Sequence, residues 1–121
     1  MADKNILIVD DDPIILKSLS EFLRLEGYGV AEAMSFEKAI NRLERRPFQV
    51  VVADVSMPEV DGFELLRVMR NRYPDTAVIM ITGYGTISSA VEAIRQGAFD
   101  YLTKPIIDDE IRITIDRAIQ Q

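Results

Sequence analysis

Short, almost unbroken runs of apolar, mostly β-branched residues recur along this chain, and helix-like segments separate them. Three such runs are Ile6–Val9, Val50–Ala53 and Val78–Ile81. A strand that is apolar on both faces is typical of a parallel sheet covered by helices on both sides. Tyr28–Ala33 and Asp100–Leu102 are weaker candidates, placed by the rhythm of the chain. The pattern therefore predicts five strands.

The segments between these strands show helical spacing and recognisable ends. Pro13 suits the first position of a helix, and Gly27, Pro74 and Gly97 suit helix ends. The predicted N-terminal caps are Asp12, Ser35, Asp61 (with Glu64 as a capping box) and Asp108. The apolar positions at helical spacing are Ile15, Leu19, Phe22 and Leu23, then Phe36, Ala39, Ile40 and Leu43, then Leu65, Leu66 and Met69, then Ile87, Ala90, Val91 and Ile94, and finally Ile111, Ile115 and Ile119.

Strict alternation of strand and helix predicts an α/β fold, with one doubly wound parallel sheet, right-handed crossovers and helices on both faces. A chain of 121 residues is about one domain. We therefore expect a single domain over residues 1–121, which stands either alone or as a piece cut from a longer protein.

Composition excludes several classes of function. The formal net charge of −6 disfavours direct binding of nucleic acid or anionic membrane by the bulk surface. Cysteine and histidine are both absent, so thiolate chemistry and histidine catalysis are excluded. No apolar stretch approaches the ~20 residues that span a bilayer, and the polar start predicts a cytoplasmic protein.

Polar residues follow four of the five predicted strands. In an open parallel sheet, ligands bind outside the carboxyl ends of the strands, so these residues are candidates for a site. They are Asp10, Asp11 and Asp12 after the first strand, Asp54 after the third, Thr82 and Gly83 after the fourth, and Thr103, Lys104 and Pro105 after the fifth.

Carboxylates that converge at one edge repel one another unless a cation neutralises them. Magnesium prefers oxygen ligands and is commonly held by one or two carboxylates plus a phosphate. We expect Asp11, Asp54 and the backbone carbonyl of Ser56 to bind Mg²⁺, with Asp10 acting through a water molecule. Asp12 is assigned to the helix cap instead, because Asp before Pro13 favours that role.

A site with these groups is suited to phosphoryl transfer, which asks mainly for positioning and positive charge around the phosphoryl oxygens. Asp54 is the predicted nucleophile, which would form an aspartyl phosphate. Lys104, the hydroxyl of Thr82 and the backbone N–H of Gly83 are predicted to bind the phosphoryl oxygens.

The motifs resemble the receiver domain of two-component response regulators. They are Val9-Asp10-Asp11-Asp12-Pro13, Asp54-Val55-Ser56-Met57-Pro58 running to Asp61-Gly62, Ile81-Thr82-Gly83, and Gly97-Ala98-Phe99-Asp100-Tyr101-Leu102-Thr103-Lys104-Pro105. The run Ala98-Phe99-Asp100-Tyr101 is similar to receivers fused to ATP-dependent activators of transcription.

The resemblance implies a flavodoxin-like sheet ordered 2-1-3-4-5 and a cis peptide before Pro105. It implies that a sensor histidine kinase phosphorylates Asp54, and that Thr82 and Tyr101 switch the surface of helix four, strand five and helix five. That surface would control an output domain or partner protein. The chain would be a regulator that catalyses only its own phosphotransfer and slow dephosphorylation.

The sequence disfavours three other functions. An aspartate-nucleophile phosphatase usually carries a second acid two residues after the nucleophile, where this chain has Ser56. A flavodoxin-like cofactor binder would hold phosphate in its first loop, which is acidic here and would repel it. A scaffold that is never phosphorylated is disfavoured because every part of the site is present.

Two further hypotheses concern the surroundings of the site. The ring of Tyr84, two residues past Thr82, could shield an aspartyl phosphate from water, and an ordinary loop tyrosine is the alternative. Ile113 points away from the apolar face of the last helix, among Arg112, Asp116 and Arg117. We expect Ile113 to be exposed and to lie at the centre of a phosphorylation-favoured homodimer, with nearby Arg and Asp side chains pairing at its rim.

Overall fold

The computed structural model describes residues 4–55, 62–83 and 87–120. Five strands alternate with five helices in this part of the chain. The strands are β1 (Asn5–Val9), β2 (Gly29–Ala33), β3 (Val50–Asp54), β4 (Ala77–Thr82) and β5 (Asp100–Thr103). The helices are α1 (Pro13–Leu25), α2 (Phe36–Arg45), α3 (Gly62–Arg72), α4 (Ile87–Arg95) and α5 (Asp108–Gln120).

The strands form one parallel sheet in the order β2-β1-β3-β4-β5, which confirms the predicted fold and strand order. The order reverses at β1, so β1 and β3 lie side by side in the middle of the sheet. Ligands of such sheets bind at this reversal, outside the carboxyl ends of the strands. The fold therefore places Asp10 and Asp54 where a ligand site is expected.

Each face of the sheet is covered by its own apolar layer. In β1, Leu7 and Val9 point into a layer that includes residues of α2, α3 and α4, whereas Ile6 and Ile8 point into a layer with α1 and α5. Alternate side chains of a strand face opposite sides, so a run that is apolar throughout serves both layers. The sheet is thus anchored from both sides, and its carboxyl edge is held in place.

The first two helices begin as the sequence predicts. The carboxylate of Asp12 accepts hydrogen bonds from the backbone N–H groups of Ile14 and Ile15, and Pro13 is the first helical residue. The hydroxyl of Ser35 accepts from the N–H of Lys38 at the start of α2. The assignment of Asp12 to the helix cap is therefore confirmed.

Several predicted boundaries differ from the structure by a residue, and those at the starts of β2 and α5 change an assignment. β2 begins at Gly29, because Gly29 N–H is the first to pair across to Lys4, while Tyr28 packs into the α1/α5 layer. α5 begins at Asp108, which lies in the first turn, so the predicted cap assignment of Asp108 is not the one observed. The predicted cap Asp61 lies outside the described residues.

The apolar face predicted for α4 was wrong at two of its four positions, Val91 and Ile94, whereas Ala90 is partly buried and the side chain of Ile87 lies outside the described part of the chain. Val91 and Ile94 are about half exposed (52% and 49%), whereas Ala93 is completely buried. The hydropathy pattern favours the bulky residues, but among the described side chains of α4 the fully buried one is small. This leaves two large aliphatic side chains at the surface.

Candidate functional site

Sheet register brings two carboxylates together. Val9 pairs with Ala53 across β1 and β3, so the residues that follow them, Asp10 and Asp54, stand side by side at the carboxyl edge. Both are buried, with 4% and 5% of their surfaces exposed. A buried carboxylate is costly unless a cation or hydrogen-bond donors compensate it.

Lys104 supplies one such cation. Its Nζ lies 2.9 Å from Oδ2 of Asp54 and 3.6 Å from Oδ2 of Asp10. Its backbone N–H donates to the carbonyl of Thr82 at 2.8 Å, which fixes the end of β5 against the end of β4. The peptide between Lys104 and Pro105 is cis, as the resemblance implied. The ammonium group thus reaches across the sheet edge to both acids.

Asp11 completes an acidic cluster. Carboxylate oxygens of Asp10, Asp11 and Asp54 all lie within 4.8 Å of one another, although Asp11 is exposed to solvent. Among the described side chains of this cluster, three carboxylates lie with one ammonium group, so the acids outnumber the cation. Oxygen donors at this spacing fit a hard divalent cation such as Mg²⁺.

Electrostatics of the cluster show the same imbalance. Burial, aided by the charge of Asp54, raises the pKa of Asp10, even though its Oδ1 accepts the backbone N–H of Asp12 at 2.9 Å and Lys104 is near. Burial alone would lower the pKa of Lys104, but its hydrogen bond to Asp54 and the charges of Asp10 and Asp54 outweigh this and raise it. A further cation beside these acids would therefore be attracted.

The predicted phosphoryl-binding residues border the cluster. Thr82 is the last residue of β4 and is buried, and Gly83 follows it at the surface with open space where a side chain would be. Thr82 pairs in register with Thr103, the residue before Lys104. The structure thus brings Asp10, Asp11, Asp54, Thr82, Gly83 and Lys104 to one edge.

Tyr101 connects the neighbourhood of the site to α4. The ring is partly buried against the α2/α3/α4 layer, and its hydroxyl lies 2.8 Å from the hydroxyl of Ser89. Sequence analysis did not identify Ser89, because a single serine in a helix has no spacing or motif that marks it. Contact between the two hydroxyls links β5 to α4.

Ile113 is exposed as predicted, with 49% of its surface accessible. Its charged neighbours are engaged within the chain. Arg112 pairs with Glu26 at 3.5 Å, Asp116 accepts the hydroxyl of Tyr28, and Arg117 lies over the ring of Phe99. Side chains proposed to pair at the rim of a dimer would therefore have to leave these contacts or share them.

Some predicted residues lie outside the described part of the chain. They are Ser56, whose carbonyl was assigned to the metal, Tyr84, proposed to shield the phosphoryl group, and the loop residues Met57, Pro58 and Asp61. Their assignments stay predictions.

A family model for the response regulator receiver domain matches residues 6–116. The chain belongs to the response regulator receiver family. This receiver is 44% identical over 116 residues to the response regulator protein FleR of Pseudomonas aeruginosa, covering 96% of this chain and 24% of FleR. It is 39% identical over 117 residues to the transcriptional regulatory protein GlrR of Escherichia coli, covering 97% of this chain and 26% of GlrR.

Solved structures give the same assignment. The receiver superposes on the solution structure of the beryllofluoride-activated NtrC4 receiver domain dimer with a TM-score of 0.91 and 37% identity, covering 96% of each chain. It is also similar to the chemotaxis response regulator CheY4 of Vibrio cholerae, with a TM-score of 0.88, 28% identity, and coverage of 97% of this chain and 99% of CheY4.

FleR, GlrR and the NtrX-like proteins are NtrC-type activators, which confirms the subfamily resemblance. Our chain spans about a quarter of the length of these curated relatives. Receiver domains act in two-component signalling as phosphorylation-dependent switches and generally bind Mg²⁺ at an acidic cluster. Within the described residues, no helix has the length and apolar character needed to cross a membrane.

Proposed function

We propose that this receiver accepts one phosphoryl group on Asp54, with Mg²⁺ bound beside it, and that the modification changes the surface formed by α4, β5 and α5. The single observation that carries this proposal is the cluster at the carboxyl edge, where Asp54 lies beside the acids Asp10 and Asp11 and contacts the ammonium of Lys104.

Asp11 and Asp54 are proposed to bind the metal directly, Asp10 through water, and the carbonyl of Ser56 to complete the set. Three oxygen donors within 4.8 Å support this assignment. When bound, Mg²⁺ would supply positive charge that neutralises the acids and the incoming phosphoryl oxygens.

The chain's own residues carry the transfer. A carboxylate oxygen of Asp54 attacks the phosphorus of a phosphohistidine on the kinase. The phosphorus–nitrogen bond breaks, and its electron pair stays on the imidazole. Lys104, which already contacts Asp54, balances charge on the phosphoryl oxygens. Thr82 and the N–H of Gly83 bind the remaining oxygens, because both lie at the end of the neighbouring strand.

This receiver is not expected to act as a phosphatase that hydrolyses many substrate molecules. Within the described site, acids and one lysine surround Asp54, and the chain has no histidine to act as a base. The domain is therefore proposed to catalyse only its own phosphorylation and a slow dephosphorylation. Tyr84 would slow the latter further if its ring covers the site.

A sensor histidine kinase is proposed to dock beside the acceptor. A groove of about 290 Å³ runs from Lys104 and Pro105 along the first turns of α1, where Ile14 is 77% exposed. An apolar surface that adjoins the acceptor can hold the kinase while its phosphohistidine reaches Asp54.

Thr82 and Tyr101 are proposed to transmit the change. Thr82 would move toward the phosphoryl group, and Tyr101 would move inward behind it, which alters its contact with Ser89 on α4. The changed surface would favour a homodimer around Ile113 and thereby control an output domain or partner protein. Dimerisation of the activated NtrC4 receiver supports this part of the proposal.

Magnesium dependence tests the proposal through a matched pair of acids. Asp11→Ala should raise the Mg²⁺ concentration needed for labelling by a small phosphodonor roughly tenfold or more, since it removes a metal ligand. Asp12→Ala should leave that concentration nearly unchanged, because Asp12 serves the cap of α1. Equal losses in the two variants, with both correctly folded by circular dichroism, would contradict the metal assignment.

A further inference from the structure

β2 is an edge strand of the sheet, and side chains of the same chain hydrogen-bond to its outward-facing backbone carbonyls. Gly29 donates to Lys4 and the carbonyl of Ala33 accepts from Asp10, so these residues turn their backbone groups toward the rest of the sheet. Backbone groups alternate along a strand, so those of Val30 and Glu32 point outward. An exposed row of such groups is a template for pairing with another strand.

Two arginines occupy both outward carbonyls of β2. Nη2 of Arg24 donates to the carbonyl of Val30 at 3.2 Å, and Nε of Arg42 donates to the carbonyl of Glu32 at 3.3 Å. Arg24 comes from α1 on one face of the sheet, and Arg42 comes from α2 on the other. Side chains from both faces of the sheet therefore occupy the outward carbonyls of this edge strand.

Neighbouring cations do not make this contact. Lys38 and Arg45 lie on the exposed side of α2, and with Arg42 and Glu32 they line a groove of about 230 Å³. Within the part of the chain that the structure describes, neither side chain donates a hydrogen bond to β2. The contact thus belongs to two particular arginines and not to the general positive charge of α2.

We propose that Arg24 and Arg42 keep a second copy of this chain from adding its own β2 strand to this edge. An incoming strand needs the carbonyls of Val30 and Glu32 as acceptors, and would have to displace a charge-assisted donor from each. It would also meet two guanidinium groups carried by the other copy, which repel. Homodimerisation is thereby left to other surfaces of the domain.

The test compares two variants with equal loss of charge, both in the unphosphorylated state. Arg24→Gln with Arg42→Gln removes the caps and keeps a polar surface, whereas Lys38→Gln with Arg45→Gln removes two nearby cations only. Association constants are measured by sedimentation velocity over a concentration series. For the first pair of substitutions, the constant should be roughly tenfold or more above that of the parent, which corresponds to about 1.4 kcal/mol of association free energy. The second pair should behave as the parent.

A third variant shows where the copies meet. Glu32→Pro, added to Arg24→Gln with Arg42→Gln, removes an outward N–H that strand pairing needs, and proline is tolerated on such an edge. It should return association to the parent value. Circular dichroism and Asp54 labelling check that each variant is folded. The proposal is overturned if both charge-matched double variants associate equally, or if Arg24→Gln with Arg42→Gln stays monomeric. It is also overturned if association persists after Glu32→Pro is added.

Discussion

α4 contacts β5, and α5 contacts β3 and β4. The two helices bury very different amounts of apolar surface. α5 buries Ile111, Thr114, Ile115 and Ala118, and its outer side is tied to the end of α1 through Arg112–Glu26 and Asp116–Tyr28. Among the described side chains of α4, Ala93 alone is fully buried. An element held by little apolar surface is the one that can move at low cost. The difference favours α4 over α5 as the part of the α4/β5/α5 surface that moves when the site changes.

Truncating one aliphatic side chain on each helix should reveal the difference between α4 and α5 most clearly. Ile115→Ala is expected to lower the free energy of unfolding by about 2–5 kcal/mol, because it leaves a cavity beneath α5. Ile94→Ala, the matched truncation on α4, should change it by no more than about 0.5 kcal/mol, since that side chain is half exposed. Urea unfolding of both variants checks this, and similar losses would mean that α4 is anchored as firmly as α5.

Dimerisation tests the outer face of α5. Ile113→Asp should weaken the phosphorylation-dependent dimer roughly tenfold to a hundredfold, because it would bury a charge without a partner. Asp54 labelling should be unaffected, since Ile113 is not one of the residues of the acidic cluster. Sedimentation of the beryllofluoride-treated protein decides the matter. An unchanged dimer in the variant, or no dimer in the parent, contradicts the assignment of Ile113.

Removing the hydrogen bond between Tyr28, which follows α1, and Asp116 of α5 should have a smaller, pH-dependent effect on the free energy of unfolding. Tyr28→Phe removes the donor to Asp116 and should cost roughly 1–2 kcal/mol of unfolding free energy near neutral pH.

Burial, then the hydrogen bond and charge of Asp116, raise the pKa of Tyr28 above its ordinary 10.0, with Glu26 adding to this and Arg112 opposing it. A raised pKa means that the stabilisation is complete below 10.0 and is lost as the pH rises above it. Urea unfolding should therefore show the difference between parent and variant shrinking above that pH. A constant difference would show that the pKa of Tyr28 is not raised in the folded protein.

The order of strands and helices and the caps of α1 and α2 could be predicted from sequence, because each depends on residues close together in the chain. Asp12 and Ser35 cap their helices as expected, and the polar residues after the strands meet at one edge. Packing of α4 through Ala93 could not be predicted, because hydropathy gives weight to large side chains. The Ser89–Tyr101 contact and the reach of Arg24 and Arg42 depend on how separate elements lie together, which local patterns do not record.

Intact-protein mass spectrometry after treatment with a small phosphodonor and Mg²⁺ tests the central claim most directly. The account predicts that the parent gains the mass of one phosphoryl group and that Asp54→Asn gains none, because the amide cannot form an aspartyl phosphate. Asp12→Ala, which changes a nearby acid assigned to the helix cap, should still be labelled. Labelling that persists in Asp54→Asn, or a parent that takes up no phosphoryl group, would contradict the account.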